Sequence, residues 1–194
     1  MARPRLISDA QIDAAARATF VAHGPTAPVS LVADQLGVSH AALLQRAGSK
    51  EKLLLRALGP GVSTVVERLA EAPPAEGKAA RLEMLLGEVL SFHQAMLPGV
   101  MVLRAAGLGA VPPGQEAPTL VVRRLLKRWL RRASGMSNPR AAVVAKALLG
   151  AIEARCFNAY LGGPGFVSGT PTRFVHELVT HLVPELNSQQ GEPS

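Results

Sequence analysis

The chain has 194 residues, of which 48% are hydrophobic and 18% are charged, and it contains one cysteine, Cys156. This composition excludes a disordered chain, a collagen-like repeat and a disulfide scaffold, and the length fits one mid-sized domain or two small ones. Basic residues outnumber acidic ones by 21 to 14, which favours polyanions in general but does not choose between nucleic acid, a membrane surface and simple solubility.

The residue types predict an all-α fold of about nine helices. Ala, Leu, Arg and Glu are abundant, and apolar and polar residues do not alternate over any long stretch. Clusters of glycine and proline separate the predicted helices, including Gly24-Pro25, Gly59-Pro60-Gly61 and Pro98-Gly99. The Gly59-Pro60-Gly61 cluster is read either as a hinge or as a plain helix boundary.

The first helix is predicted from Ser8 to His23. Ser8 is the expected N-cap, and Gln11 follows it at capping-box spacing. A second helix over residues 28–36 and a third over 40–47 flank Gly37, which tolerates a positive φ in a tight turn. Two short helices joined in this way are typical of a helix-turn-helix, whose second helix enters the major groove of DNA.

Three motifs carry a family resemblance. The first helix contains I-x-x-A-A-x-x-x-F-x-x-x-G over residues 12–24, the next two contain V-x-x-V-A-x-x-L-G-V-S over residues 29–39, and G-S-K-E-K-L follows at 48–53. These residues resemble the N-terminal domain of the tetracycline-repressor (TetR) family of bacterial transcription regulators. The resemblance implies a helix-turn-helix domain over residues 1–54, a helical effector-binding and dimerisation domain over 55–187, and a flexible tail over 188–194.

The resemblance also implies a set of DNA-binding residues at the third helix and its flanks. Ser39, Arg46 and Lys50 are expected to contact phosphates, Arg46 alternatively a guanine, and Arg3 and Arg5 are expected to form a basic arm before the first helix. The full candidate set is Arg3, Arg5, Ser30, Ser39, His40, Ala41, Ala42, Leu44, Gln45, Arg46 and Lys50. Leu44 stands where the family usually has a tyrosine, and Ala47 where it has an aromatic residue. These departures leave open an alternative, a helical ligand-binding or interaction module with weakened or lost specific DNA binding.

The second half of the chain is expected to hold a largely apolar effector. A helix over residues 78–97 and later segments supply the candidate lining, although ordinary core packing is the alternative for each residue. The candidates are Leu85, Val89, Phe92, His93, Met96, Met101, Leu125, Trp129 and Phe157. Family members commonly form homodimers through their last two long helices, here about 139–161 and 171–186, with ordinary intrachain packing as the alternative.

Residues 121–133 form a helix with one strongly basic face. Its cations are Arg123, Arg124, Lys127, Arg128, Arg131 and Arg132. Three interpretations stay open, namely a solvated face, a second polyanion or DNA contact, and a membrane-surface helix.

The predicted function is a DNA-binding regulator, a repressor released from a palindromic operator by a small effector. No P-loop, GxGxxG, HExxH or GxSxG motif occurs, so neither an enzyme nor a cofactor or metal is expected. No targeting segment is visible, and Arg104, Pro98 and Gly99 interrupt the longest apolar stretch, residues 89–111. We therefore expect a cytoplasmic protein without a membrane partner.

Overall fold

A computed structural model of the chain describes residues 7–60, 64–111 and 114–186. Within these ranges the protein has nine α-helices and no β-strand, which confirms the predicted all-α fold. The helices are α1 (Asp9–His23), α2 (Val29–Leu36), α3 (His40–Ala47), α4 (Lys50–Leu58), α5 (Thr64–Ala70), α6 (Lys78–Ala105), α7 (Pro118–Ser134), α8 (Asn138–Gly162) and α9 (Pro171–Leu182). Short 3-10 helices follow α8 and α9, at Pro164–Phe166 and Pro184–Leu186.

The chain divides into two compact units. The first contains α1 to α4 and the part of α6 from Met96 onward, and the second contains α5, α6 up to Ala95, and α7 to α9. The predicted boundary after residue 54 falls inside α4, which lies wholly in the first unit. The division into domains at that position stays a prediction.

Local chemistry determines where α1 begins, as the sequence predicted. The Gln11 amide donates to the Ser8 hydroxyl at 3.2 Å, and the Ser8 amide donates to the Gln11 side chain at 2.8 Å. This capping box satisfies backbone donors that the first helical turn leaves without intrahelical acceptors. Phe20, on the opposite side of α1 from the solvent, is fully buried in a core that includes Leu43, Leu53 and Leu58.

Helix α6 corrects the prediction that Pro98 and Gly99 end a helix. It runs through both residues to Ala105, although a proline inside a helix removes one backbone hydrogen bond. Beyond the proline, Val102 and Leu103 are buried in the core of the first unit. Their burial stabilises the helix past a residue that, on local propensity alone, would stop it.

By length and composition alone, α6 is also able to cross a membrane, which the sequence analysis did not anticipate. Apolar core helices of soluble proteins pass the same test, so this is weak evidence for a span. Leu82, Leu85, Leu86 and Leu90 of α6 are at most 1% exposed and belong to the protein's own core.

Helix α7 separates its apolar and basic faces as predicted. Leu126, Trp129 and Leu130 are buried where α7 packs against α5 and α8. The cations of its other face are exposed apart from Lys127, which is half-buried, and Arg124 forms an ion pair with Glu116 at 3.1 Å.

Candidate nucleic-acid interface and ligand cavity

Helices α2 and α3 form a helix-turn-helix. The core of the first unit supports α3. Gly37 ends α2 in the left-handed conformation, with φ 66°, and Ser39 then caps α3 by accepting the Ala42 amide at 3.1 Å. Leu43 and Ala47 point into the core of the first unit and are 2% and 7% exposed. The buried pair holds α3 against the domain and leaves its opposite face in solvent.

The exposed face of α3 carries most of the residues predicted to contact DNA. Ser39, His40, Ala41, Ala42, Gln45 and Arg46 are all exposed. Leu44 departs from this pattern because it is half-buried and packs against the core, and Ser30 near the start of α2 is half-buried as well. Arg3 and Arg5, the predicted basic arm, lie outside the described residues.

Both predicted phosphate-binding cations already have partners in the protein. The Arg46 guanidinium forms an ion pair with Asp9 at 2.9 Å and donates to the Ile7 carbonyl. Lys50, at the start of α4, places its Nζ over the Phe20 ring, 5.8 Å from the centroid. Arg46 is therefore held by Asp9 of α1 and by Ile7, and Lys50 is held by Phe20 of α1.

Comparison with known proteins agrees with this geometry. Residues 12–57 match the sequence profile described as bacterial regulatory proteins, tetR family. The family description therefore applies to the N-terminal segment, residues 12–57, which contains α2 and α3. A crystal structure of a TetR-like transcriptional regulator from Rhodococcus sp. RHA1 shares its fold, with 18% identity, a TM-score of 0.63, and coverage of 98% of this chain and 100% of that one.

A second solved structure, described as the molecular basis for control of antibiotic production by a bacterial hormone, matches at 18% identity with a TM-score of 0.54. It covers 89% of this chain and 95% of the other. Comparison with curated protein sequences gives no significant match. The profile match begins within α1, at residue 12, and ends within α4, at residue 57, so it includes all of α2 and α3.

The second unit contains a cavity of about 830 Å³. Its walls come from α5, α6 and the start of α9, and its lining includes Thr64, Arg68, Glu83, Met84, Glu88 and Phe92. Arg68 and Glu88 form an ion pair across it, and Glu83 of α6 meets the His176 ring nitrogen of α9 at 2.9 Å. These two contacts link α6 to both of the other walls.

The cavity and the predicted effector lining share only Phe92. Leu85, Val89 and Trp129 are buried core residues, while Leu125 is half-buried and Phe157 is exposed on α8. Met96 and Met101 belong to the first unit and not to the second. His93 is buried, with its Nδ1 2.8 Å from the Val89 carbonyl and its Nε2 3.8 Å from a Glu153 carboxylate oxygen.

The sequence analysis missed the polar lining of the cavity because it followed the apolar residues of α6. A signal was present, since Glu83, Gly87 and Ser91 follow one another at intervals of four residues, with Glu88 beside Gly87. Residues at that spacing share one helical face, and all four line the cavity.

A stripe of exposed apolar residues runs along α8. Val143 is 68% exposed and Leu161 is 65% exposed, and Phe166 in the following 3-10 helix is 71% exposed. The stripe consists of Val143, Ala147, Gly150, Ala154, Phe157 and Leu161, all exposed and spaced by three or four residues. This spacing places the six residues on one face of the helix.

Proposed function

We propose that the protein is a homodimeric transcription repressor that binds a palindromic operator and is released from it by a small effector. The observation that carries this proposal is the exposed face of α3, held by buried Leu43 and Ala47 within a TetR-type helix-turn-helix. A recognition helix reads base edges from such a face.

Within this proposal the residues of α3 divide into two roles. His40, Ala41, Ala42 and Gln45 approach base edges, where the alanines offer only apolar contact, as to a thymine methyl group. Ser39 and Lys50, at the beginnings of α3 and α4, bind phosphate together with free backbone amides. Half-buried Leu44 has no hydroxyl that could bind a phosphate. Arg46 takes this role, which requires it to leave its ion pair with Asp9.

Dimerisation is supported by the α8 stripe. Contiguous exposed apolar surface on a soluble domain marks an interaction site, and small residues such as Gly150 and Ala154 let two helices approach closely. Two copies of the helix-turn-helix then read two half-sites, which a palindromic operator supplies.

Effector control is assigned to the cavity between α5, α6 and α9. Its volume of about 830 Å³ falls within the range of small-molecule sites. An effector that prefers a DNA-incompetent arrangement shifts the population toward it and releases the operator.

A second candidate function is a ligand-binding module whose specific DNA binding is weak. The Asp9 ion pair of Arg46 and the half-burial of Leu44 favour it, because both reduce what α3 offers to a duplex. Selection of bound sequences from random duplexes at moderate salt separates the two. The regulator enriches a palindrome, whereas the module shows only sequence-independent binding that salt weakens.

Arg46→Ala and Lys50→Ala proteins test the assigned phosphate contacts. Each is expected to bind the selected operator more weakly and to lower the salt-dependence slope by about one. Arg173→Ala, which removes an exposed cation of α9, is the matched control and leaves both quantities unchanged. Unchanged affinity and salt slope in both test variants would contradict the assignment of α3 and α4 to DNA.

A further inference from the structure

The charged residues that line the cavity in the second unit indicate which class of ligand it binds. Among its lining residues, Arg68 is cationic and Glu83 and Glu88 are anionic, so the lining has a formal charge of −1. The Arg68 charge is already balanced by the Glu88 carboxylate through their ion pair. The net charge left for a ligand to neutralise is therefore negative and lies at Glu83, whose Oε1 is also 2.9 Å from the Nδ1 of His176, a residue outside the lining.

Glu88 also has an unfilled hydrogen-bonding position. One of its carboxylate oxygens binds Arg68, while the other, Oε2, is buried and has no donor among the described residues. A buried acceptor without a donor costs free energy that a new donor recovers. A ligand N–H group meets this oxygen after a rotation of the carboxylate, whose side chain is 27% exposed.

Gly87 makes room for the ligand between the two carboxylates. It lies on the lining face of α6, and a Cβ atom added at this position would have no neighbouring atom within 4 Å. Met84 and Phe92 border the same space, and an aromatic face attracts a cation as well as apolar groups. The N-terminus of α9 contributes partial positive charge at Pro171 and Thr172, so the cationic end of a ligand belongs at α6.

We propose that this cavity binds an organic cation, an amine-bearing molecule with an apolar body, whose ammonium group lies between Glu83 and Glu88. The inference rests on the proposed effector function and specifies its ligand as charged, where the sequence alone predicted a largely apolar one. Recognition combines neutralisation of one net negative charge and hydrogen bonds to two carboxylates with apolar contact at Met84 and Phe92.

Three fluorescent probes of matched size test the class of ligand on the full chain without DNA. They are dansylcadaverine, which is cationic, its N-acetyl derivative, which is neutral, and a dansyl amino-alkanoic acid of the same chain length, which is anionic. The cation is expected to bind at least about tenfold more tightly than either of the others, as charge-assisted hydrogen bonds warrant. Equal or tighter binding of the neutral or anionic probe, or no binding of the cation, overturns the proposal.

Paired variants locate the binding in the cavity. Glu83→Gln with Glu88→Gln is expected to remove the preference for the cation, whereas Glu71→Gln, which breaks a comparable ion pair with Arg81 outside the cavity, keeps it. Gly87→Phe fills the space and is expected to abolish binding of the cation. Unchanged binding of the cation in the Gly87→Phe protein overturns the assignment.

Release of selected operator DNA by the same probes separates this inference from the function on which it rests. If dansylcadaverine binds in the cavity without releasing DNA, the effector function fails while the cation site stands. If an uncharged ligand releases DNA and the cation does not bind, the ligand class fails while the regulator stands.

Discussion

Arg46 is the exposed cation of α3, and under the proposed function its contacts in the free protein compete with its contact to DNA. Asp9 holds the guanidinium at 2.9 Å, with the Arg46 and Asp9 side chains 41% and 62% exposed, and the Ile7 carbonyl accepts from it. An exposed ion pair contributes little to stability, so a phosphate is able to replace the carboxylate at small cost. Asp9 therefore acts as a local competitor for the DNA backbone.

Replacing Asp9 by Asn is expected to raise operator affinity by roughly threefold to tenfold at low salt. Arg46 then no longer has to give up the Asp9 carboxylate in order to bind a DNA phosphate. Fluorescence anisotropy over a range of salt concentrations measures the effect. Asp34→Asn removes an exposed carboxylate from α2 and corrects for net charge alone. In a protein that also carries Arg46→Ala, Asp9→Asn should raise operator affinity no more than Asp34→Asn does. A larger gain in affinity would show that Asp9 does not act through Arg46.

Cys156 lies in α8 at 4% exposure, and its thiol donates to the Leu90 carbonyl at 3.8 Å. Burial raises the pKa of Cys156 from 9.0 to about 11, partly opposed by the positive charge of Arg155. Because only the thiolate reacts, alkylation by iodoacetamide at pH 8 should be about a hundredfold slower in the folded protein than in urea, and faster as the pH rises toward 11. Mass spectrometry follows the labelling, and equal rates at pH 8 with and without urea would refute the burial of this thiol.

At the scale of single elements, α6 contains two glycines with opposite surroundings. A methyl group at Gly99 would lie 2.9 Å from the Leu58 carbonyl oxygen and 3.1 Å from an Arg17 nitrogen, whereas one at Gly87 meets nothing within 4 Å. Gly99 thus permits the close approach of α6 to the end of α4, and Gly87 opens the cavity.

Gly99→Ala and Gly87→Ala are expected to change stability in opposite directions. In a helix interior alanine is favoured over glycine by about 0.5–1 kcal/mol, and Gly87→Ala should stabilise the protein by that amount. At Gly99 the clash with backbone outweighs this gain, and overpacking should destabilise the protein by about 1–3 kcal/mol. Urea denaturation measures both changes, and stabilisation by Gly99→Ala would show that α4 and α6 do not approach so closely.

Elements set by local chemistry were predictable from the sequence, whereas α6 was not predicted to its full length. The capping box at Ser8 and the turn at Gly37 depend on neighbouring residues, and both are found where the sequence placed them. The continuation past Pro98 depends on the burial of Val102 and Leu103 against residues more than forty positions away. No pattern within α6 contains that information, so local rules for proline favoured the wrong end point.

At the scale of the whole molecule, the helix-turn-helix was predictable and the cavity was not. The exposed face of α3 follows from helical periodicity around Leu43 and Ala47, which a sequence shows directly. The cavity forms where α5 and α9, distant in sequence, meet α6, and its charged residues depend on which face of α6 they cover. An apolar residue such as Leu85 satisfies the same pattern whether it lines a cavity or fills a core.

The α8 stripe leads to a prediction about assembly. If the stripe is a homodimer interface, a carboxylate placed within it is buried without a partner on both copies, which costs several kcal/mol. Leu161→Glu should convert the dimer to a monomer at micromolar concentration and weaken operator binding by at least about tenfold, because one half-site is then lost. Leu120→Glu, at a 41% exposed apolar position of α7 outside the stripe, should remain dimeric. Light scattering measures the molar mass of each variant. If the Leu161→Glu protein stays dimeric, the dimer interface lies elsewhere.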